Sequence, residues 1–283
     1  MSIRAVQFVK RMRGGAQSQL MRASDGALYV VKFQNNPQGK RVLANELIAT
    51  RLAQVIGLPV APCTIIEVRS MLIERTPELR IESETHSVPC APGLQTASRF
   101  VAQTGTSAQV WDWLPGALLN STRNLNAFAG MLAFDWWTFN RDSRQAVFSR
   151  IGCRGKCTAT FIDQGYCFNG TRWTFPEMNV PCVYPVRDVY AVVNGWRSFE
   201  PWLSRIERLR ESVLWDVVAD IPEEWEVPRD AIKDLVNALQ ERQKLVRGFI
   251  DDLRSGARSP FQRWPSYRTT IETMHGVPSQ CCV

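Results

Sequence analysis

Histidine is nearly missing from this chain: only His86 and His275 occur among 283 residues. With no Gly-x-Ser-x-Gly either, a Ser–His or Cys–His hydrolase has little to be built from. No run approaches the roughly 18 apolar residues that a membrane-spanning helix needs. The opening segment, residues 1–15, lacks the apolar centre of a signal peptide. A cytoplasmic protein with no membrane partner is therefore expected. Paired Cys/His ligands of the zinc-binding kind are also wanting. Of the eight cysteines, Cys63, Cys90, Cys153, Cys157, Cys167, Cys182, Cys281 and Cys282, the close internal pair is Cys153 and Cys157, so reduced thiols are expected rather than a metal centre. Gln280 stands where a prenylation box needs its cysteine. Neither Gly-x-x-x-x-Gly-Lys-Ser/Thr nor Gly-x-Gly-x-x-Gly is present.

What remains is ordinary globular material, 45% apolar and 22% charged, with a net charge of +7 that favours anionic partners. Arg4, Lys10, Arg11, Arg13 and Arg22 precede the first acid, Asp25, which suggests nucleic acid. The ten Trp sit mostly in apolar contexts and read as core rather than as stacking platforms, so direct nucleic-acid binding is not expected.

The first third reads as strands over 4–13, 17–23 and 27–33, separated by Gly14-Gly15 and Ser24-Asp25-Gly26. Helical spacing follows over 40–56, with Leu43, Leu47, Leu52 and Val55 on one side, Gly57 as C-cap and Pro59 as stop. Residues 60–68 read as a strand, 74–96 as an irregular loop, 97–102 as a strand and 103–109 as a connection between lobes. Beyond it come an apolar helix over 124–139, a hairpin of 146–151 and 157–162, and an amphipathic helix after Pro228 marked by Ile232 through Leu253. The last 25 residues, rich in Pro, Ser and Arg, have a mobile composition. The pattern implies an α+β, two-lobed fold, with a small β-rich N-lobe carrying one helix and a larger, mainly helical C-lobe.

Three groups of residues suit chemistry. Lys32 is the single charge in the strand Leu28–Phe33, and a buried ammonium needs an anion. Glu46, at the edge of the helix's apolar stripe, can supply it, as in phosphoryl-transfer enzymes that steady a phosphate-binding lysine this way. A surface lysine and a solvated glutamate are the plainer alternative. Gly14, Gly15, Ala16, Gln17 and Ser18 form a small-residue turn between strands that can approach a phosphate, although most such turns are only turns. In the third group, Asp142 follows the apolar helix and Asp163 leaves the returning strand of the hairpin. A hairpin centred on Arg154 sets Gln145 opposite Asp163, with Asp142 one short loop away. One carboxylate could then accept a hydroxyl proton while the other binds Mg²⁺; alternatively both are capping residues of turns. Asp135 and Asn140 also show Asp-x-x-x-x-Asn spacing, but Asp135 falls inside the apolar helix, which favours Asp142.

Taken together these segments resemble the HipA-like kinases, atypical bilobal serine/threonine kinases distantly related to phosphatidylinositol kinases. The resemblance runs from Gly15-Ala-Gln-Ser-Gln-Leu20 through Val31-Lys32-Phe33, Asn45-Glu46 and Phe134-Asp-Trp136 to Phe161-Ile-Asp-Gln-Gly165. It implies a loop over ATP, a phosphate-binding Lys32, a base at Asp142 and a magnesium-binding Asp163. In the loop Asn140-Arg-Asp142-Ser-Arg144, an arginine replaces the family's usual histidine. The position of the second metal ligand, normally Asn, holds Val147, for which Gln145 is the available substitute. The chain lacks the extra N-terminal subdomain of full-length HipA toxins and any helix-turn-helix, so toxin behaviour is not implied.

The expectation is thus an ATP- and Mg²⁺-dependent kinase acting on a Ser/Thr hydroxyl of a protein, with residues 1–105 as nucleotide-binding lobe and 106–283 as catalytic lobe. The alternative is a catalytically impaired pseudokinase that binds nucleotide or a partner as a scaffold, as Val147 and Arg144 would suggest. Ser18 is an ordinary loop serine that is also positioned for autophosphorylation, which would repel ATP.

Overall fold

In the computed structural model, residues 3–101, 108–152, 155–176 and 183–264 are described. The chain starts with two antiparallel strands, β1 (Ile3–Arg11) and β2 (Gln19–Ala23), and returns in β3 (Leu28–Lys32). Helix α1 (Arg41–Val55) ends at Gly57, whose φ of +80° gives the left-handed turn that glycine supplies without strain. Strand β4 (Cys63–Val68) follows, then the short helix α2 (Ser70–Glu74).

The segment expected to be a loop over 74–96 is ordered differently. It contains a small hairpin of β5 (Arg80–Glu82) and β6 (Ser87–Pro89), and β7 begins at Gly93 and runs to Arg99. β7 lies between β3 and β4 and completes a closed barrel in the order β1-β2-β3-β7-β4. Its Gln95 and Thr96 are buried polar residues, which hide the apolar alternation that announces a strand. Gln95 Oε1 accepts from the Gln34 backbone N–H at 2.8 Å, and Thr96 Oγ1 donates to Leu43 O at 2.9 Å, so each is satisfied inside the core. Val31, Phe33, Ile66, Val68 and Ala97 fill the barrel.

The expected connection over 103–109 lies largely outside the described residues, as does the expected lobe boundary. Its end already belongs to β8 (Ala108–Trp111), which adds to the hairpin of β9 (Gln145–Ile151) and β10 (Thr158–Ile162) to make a three-stranded sheet. The observed register pairs Gln145 with Ile162. Asp163 is therefore one residue past the strand rather than directly opposite Gln145, because the paired positions sum to 307 and not to the 308 of a hairpin centred on Arg154.

Between β8 and β9 come the short helix α3 (Gly116–Leu119) and α4 (Ala127–Thr138), every residue of which is buried. α4 passes between Phe148 and Phe161 of the sheet and the later helices, and its Gly130 lets the Trp202 ring lie against the backbone. The C-terminal part contains α5 (Trp202–Glu207), α6 (Glu211–Val218), α7 (Arg229–Gln243) and α8 (Val246–Ser255). The expected single helix after Pro228 is thus two, broken at Lys244-Leu245. Arg242, just before the break, turns back to donate to the Trp137 and Trp136 carbonyls and packs its guanidinium against Phe139, Phe175 and Phe249. A cation over the unsatisfied carbonyls at the end of α4 completes that helix electrostatically.

Helix α1 is held between the barrel and the C-terminal part. Residues Val42 through Thr50 are buried on every face, so the one-sided stripe expected from the sequence is an enclosed segment over most of the helix, while Val55, expected on that stripe, is exposed at the helix end. Among the described cysteines, Cys63, Cys90, Cys157 and Cys167 are free thiols. Burial pushes Cys90 and Cys167 up to about 12, which makes them poor nucleophiles. No helix is long and apolar enough to cross a membrane among the described residues.

Candidate active site

Lys32 is the last residue of β3 and points inward, only 7% exposed. Its Nζ donates to Glu46 Oε2 and to Asp163 Oδ1, both at 2.7 Å. Burying an ammonium and two carboxylates costs several kcal/mol per ion, and this arrangement offsets it by direct pairing. Burial alone would lower the Lys32 pKa, but the charges of Asp163 and Glu46 outweigh it and raise the group above its ordinary value. The Lys32 charge in turn holds the Asp163 carboxyl below the usual carboxylate range.

Glu46 is fixed from three sides. Besides Lys32, its Oε2 accepts from the Gln164 backbone N–H at 3.0 Å, and its Oε1 accepts from Ser98 Oγ at 3.3 Å. The neighbouring Asn45 was part of the family resemblance but carried no assigned role. Its Nδ2 donates to the carbonyls of Gly165, Cys167 and Gly170 at 2.8, 3.1 and 2.8 Å, and its Oδ1 accepts from Trp173 Nε1 at 2.5 Å. α1 thereby grips both β3 and the loop that follows Asp163.

Asp163 itself has φ +60°, a left-handed conformation that a non-glycine residue adopts at a cost of about 1 kcal/mol. Its surroundings impose that conformation. Oδ1 meets Lys32, Oδ2 accepts from Gln145 Nε2 at 3.1 Å, and the backbone carbonyl accepts from Arg144 Nη1 at 3.2 Å. The Gln145–Asp163 proximity expected from the hairpin is present even though the register differs by one. At Gly165 a Cβ would stand 2.7 Å from Val42 Cγ1 and 3.1 Å from Lys32 Nζ. The absence of a side chain there is what lets α1 and β3 come so close to the loop.

Arg144 fills the place where the family's histidine is expected. It is buried and forms a fork to Asp135, with Nε donating to Oδ2 at 3.0 Å and Nη2 contacting Oδ1. Its remaining Nη1 reaches Ile162 O, Asp163 O and Gln164 Oε1. Asp135 also accepts from Asn140 Nδ2 at 3.0 Å. The Asp135/Asn140 spacing is therefore that of a buried structural pair, sealed away from any ligand.

Asn140 Oδ1 accepts from the Asp142 backbone N–H at 3.1 Å, which aims the next turn outward. Asp142 is exposed and lines a cleft of about 480 Å³ together with Gln38, Val42, Arg141, Tyr166 and Arg172. Val42 is common to this cleft and to the Gly165 contact, so Asp142 opens onto the wall behind which Lys32 and Asp163 meet. The backbone N–H of Arg141 donates to Tyr166 O at 3.2 Å, tying the two loops together.

The turn Gly14–Ser18 closes with Gln17 N–H on Gly14 O at 3.1 Å. The side chain of Gln17 bridges to the backbone of Glu82, donating at 2.5 Å and accepting at 2.8 Å. The β5–β6 hairpin, unforeseen in the sequence, is thus what anchors this turn. Gly15 lies over Gln38, whose Nε2 would be 3.0 Å from a Cβ there, and Gln38 also lines the Asp142 cleft. Ala16 and Ser18 are buried. Val147, in the middle of β9, packs in the sheet at 8% exposure and has no atom able to bind a metal.

A family of HipA-like kinases matches residues 5–152, just over half of the chain. The chain belongs to the HipA-like kinase family. The matched span ends in the β9–β10 turn, so the Asp163 region lies beyond it. No curated protein matches the sequence. Several solved kinase structures share the fold. A Golgi casein kinase with Mn and ADP bound has 12% identity and a TM-score of 0.54, covering 87% of this chain and 73% of that one. The Helicobacter pylori proinflammatory kinase CtkA has 14% identity and a TM-score of 0.54, with 84% and 92% covered. Hydra Fam20 with sugar has 10% identity and a TM-score of 0.54, with 88% and 87% covered. At these identities the likeness shows the fold, which is the α+β, bilobal kinase-like one.

The donors also fit a divalent cation of the magnesium kind. Asp163 is a hard oxygen ligand, and Mg²⁺ takes one or two such groups, filling its other positions with water and phosphate. Gln145, whose Nε2 faces Asp163 Oδ2, would present its amide oxygen there only with the amide turned over. Among the described residues no cluster of three or more His, Cys, Asp or Glu could hold a metal.

Proposed function

We propose that this HipA-like kinase transfers the γ-phosphoryl group of ATP to a Ser/Thr hydroxyl of a protein, with Mg²⁺ as cofactor. The observation that carries the reading is Lys32 Nζ held at 2.7 Å by carboxylates from two distant parts of the chain, Glu46 and Asp163. An ammonium has three N–H donors. Two are engaged, and the third would serve a phosphate oxygen. Glu46 keeps Lys32 charged and oriented, and Asp163 with Gln145 would hold the cation. When bound, that cation neutralises charge that builds up on the phosphates.

Gly14 through Ser18 would cover the phosphates, with backbone N–H groups other than that of Gln17, which closes the turn, as donors. Asp142 would receive the hydroxyl proton. The acceptor oxygen then forms a bond to the γ-phosphorus, the bond to the bridging oxygen breaks, and ADP leaves with the electron pair. Such transfer asks a protein mainly for position and charge. In this reading residues 1–105 form the nucleotide lobe and 106–283 the catalytic lobe.

The test combines thermal stabilisation by ATP, with and without Mg²⁺, and phosphate transfer by wild type, Asp142→Ala and Asp163→Ala. Metal-linked stabilisation with transfer abolished in both variants is expected. Nucleotide binding without transfer by the wild type would instead indicate a scaffold, as Val147 at the second ligand position suggests. No nucleotide binding at all would end the reading.

A further inference from the structure

The cleft that exposes Asp142 carries two guanidinium groups, one on each flank. Arg141 comes from the loop after α4 and Arg172 from the loop after Asp163. Both are exposed. Arg141 Nη1 donates at 3.1 Å to Asn169 Oδ1, a neutral acceptor. On the α1 side, Arg41 is likewise spent on a neutral group, the Thr171 carbonyl at 3.1 Å, with its guanidinium 5.0 Å above the Trp173 ring.

The neighbouring cation differs. Lys40 is paired with Glu226 at 2.6 Å. Among the described residues, none of the ion pairs involves Arg41, Arg141 or Arg172. Among the described residues that line the cleft, Asp142 is the one acid, against the two cations Arg141 and Arg172, and Arg41 reaches the lining residue Thr171. An acceptor presenting only a hydroxyl would leave this positive excess unused.

We propose that the cleft selects a peptide acceptor that carries an anionic side chain next to its Ser/Thr, either a carboxylate or a phosphate. This rests on the kinase reading, because it names the acceptor of the same site. The anion lies between Arg141 and Arg172 while the hydroxyl faces Asp142. Arginine suits both anions through parallel N–H donors, and a phosphate, with the larger charge, gains more. The positive flank also offsets the repulsion that Asp142 would exert on an acidic segment.

The experiment measures binding of fluorescent Ser peptides by anisotropy at low salt, in four versions whose flanking residue is phosphoserine, Glu, Gln or Lys. Phosphate transfer is followed in parallel. The expected order of affinity is phosphoserine, Glu, Gln, Lys, and added salt compresses it. Arg172→Glu is expected to weaken the Glu peptide about fivefold or more and to bring the Lys peptide level with it or ahead, the scale of a partly exposed charge pair reversed.

Arg141→Gln, which retains a donor for Asn169, is expected to weaken the anionic peptides alone. Equal or undetectable binding of all four peptides, or an unchanged order in Arg172→Glu, overturns the proposal. Because binding is read without catalysis, the two readings fail separately. Anionic preference without ATP-dependent stabilisation defeats the kinase reading. ATP stabilisation and transfer without anionic preference defeat this one.

Discussion

Arg144 and Asp135 form a forked ion pair inside the protein, each side chain 2% exposed, and through it the end of α4 is fastened to the backbone of Asp163. Removing one member strands the other. Asp135→Leu is expected to lower unfolding stability by about 3–5 kcal/mol. Asp135→Leu with Arg144→Met is expected to recover part of that loss, since no buried charge remains. Equilibrium denaturation of both variants checks the pair; a single variant within about 1 kcal/mol of wild type would show that the charges are not truly desolvated.

Lys32→Met keeps the length of the side chain and removes its charge. Under the proposed function, kcat/KM for ATP should fall about 10²- to 10³-fold, the usual cost of losing one preorganised donor to the transition state. Steady-state kinetics at varied ATP decide the matter. A variant that retained near-normal turnover would move the phosphate site elsewhere.

The pH dependence has a definite sign. Asp163 lies below its ordinary 3.8, chiefly because of the Lys32 charge. A lowered folded-state pKa adds stability above the ordinary value, and that stability is lost as pH falls through the lower folded-state value. Burial pulls Lys32 down, but Asp163 and Glu46 raise it above 10.5. Its contribution is complete below 10.5 and disappears as pH rises through the raised value. The melting-temperature gap between wild type and Asp163→Asn should therefore hold steady from about pH 5 to 9 and shrink below about pH 4. A gap that persists unchanged at pH 2 would rule out the ion pair as its source.

Gly165→Ala should damage both stability and nucleotide binding. The added methyl meets Val42 and the Lys32 ammonium at contact distances that core side chains rarely tolerate, an overpacking cost of about 1–3 kcal/mol. Thermal melts with and without ATP test both halves of the statement. A fully stable variant with wild-type ATP response would mean that the loop yields easily.

Much of this arrangement was legible in the chain because its signals are local. The lone charge in the Leu28–Phe33 strand, the helix ending at Gly57 and the hairpin that carries Gln145 toward Asp163 can each be read within a few residues. What escaped depends on distant partners. The first half of β7, up to Thr96, reads as loop in the sequence because Gln95 and Thr96 find hydrogen bonds on the Gln34 backbone and on α1. The role of Asn45 needs the loop 120 residues later, and Arg242 gains meaning only at the end of α4. The break at Lys244-Leu245 falls inside a continuous helical pattern, and periodicity alone does not reveal it.

Asn45 and Glu46 are consecutive residues, and their adjacency has a mechanical consequence. One turn of α1 clasps three carbonyls of the loop after Asp163 and, with its next side chain, the ammonium on β3. A tilt of that helix would slacken both attachments in a single stroke. The barrel and the helical half are therefore geared to each other, and neither can be set without turning the other.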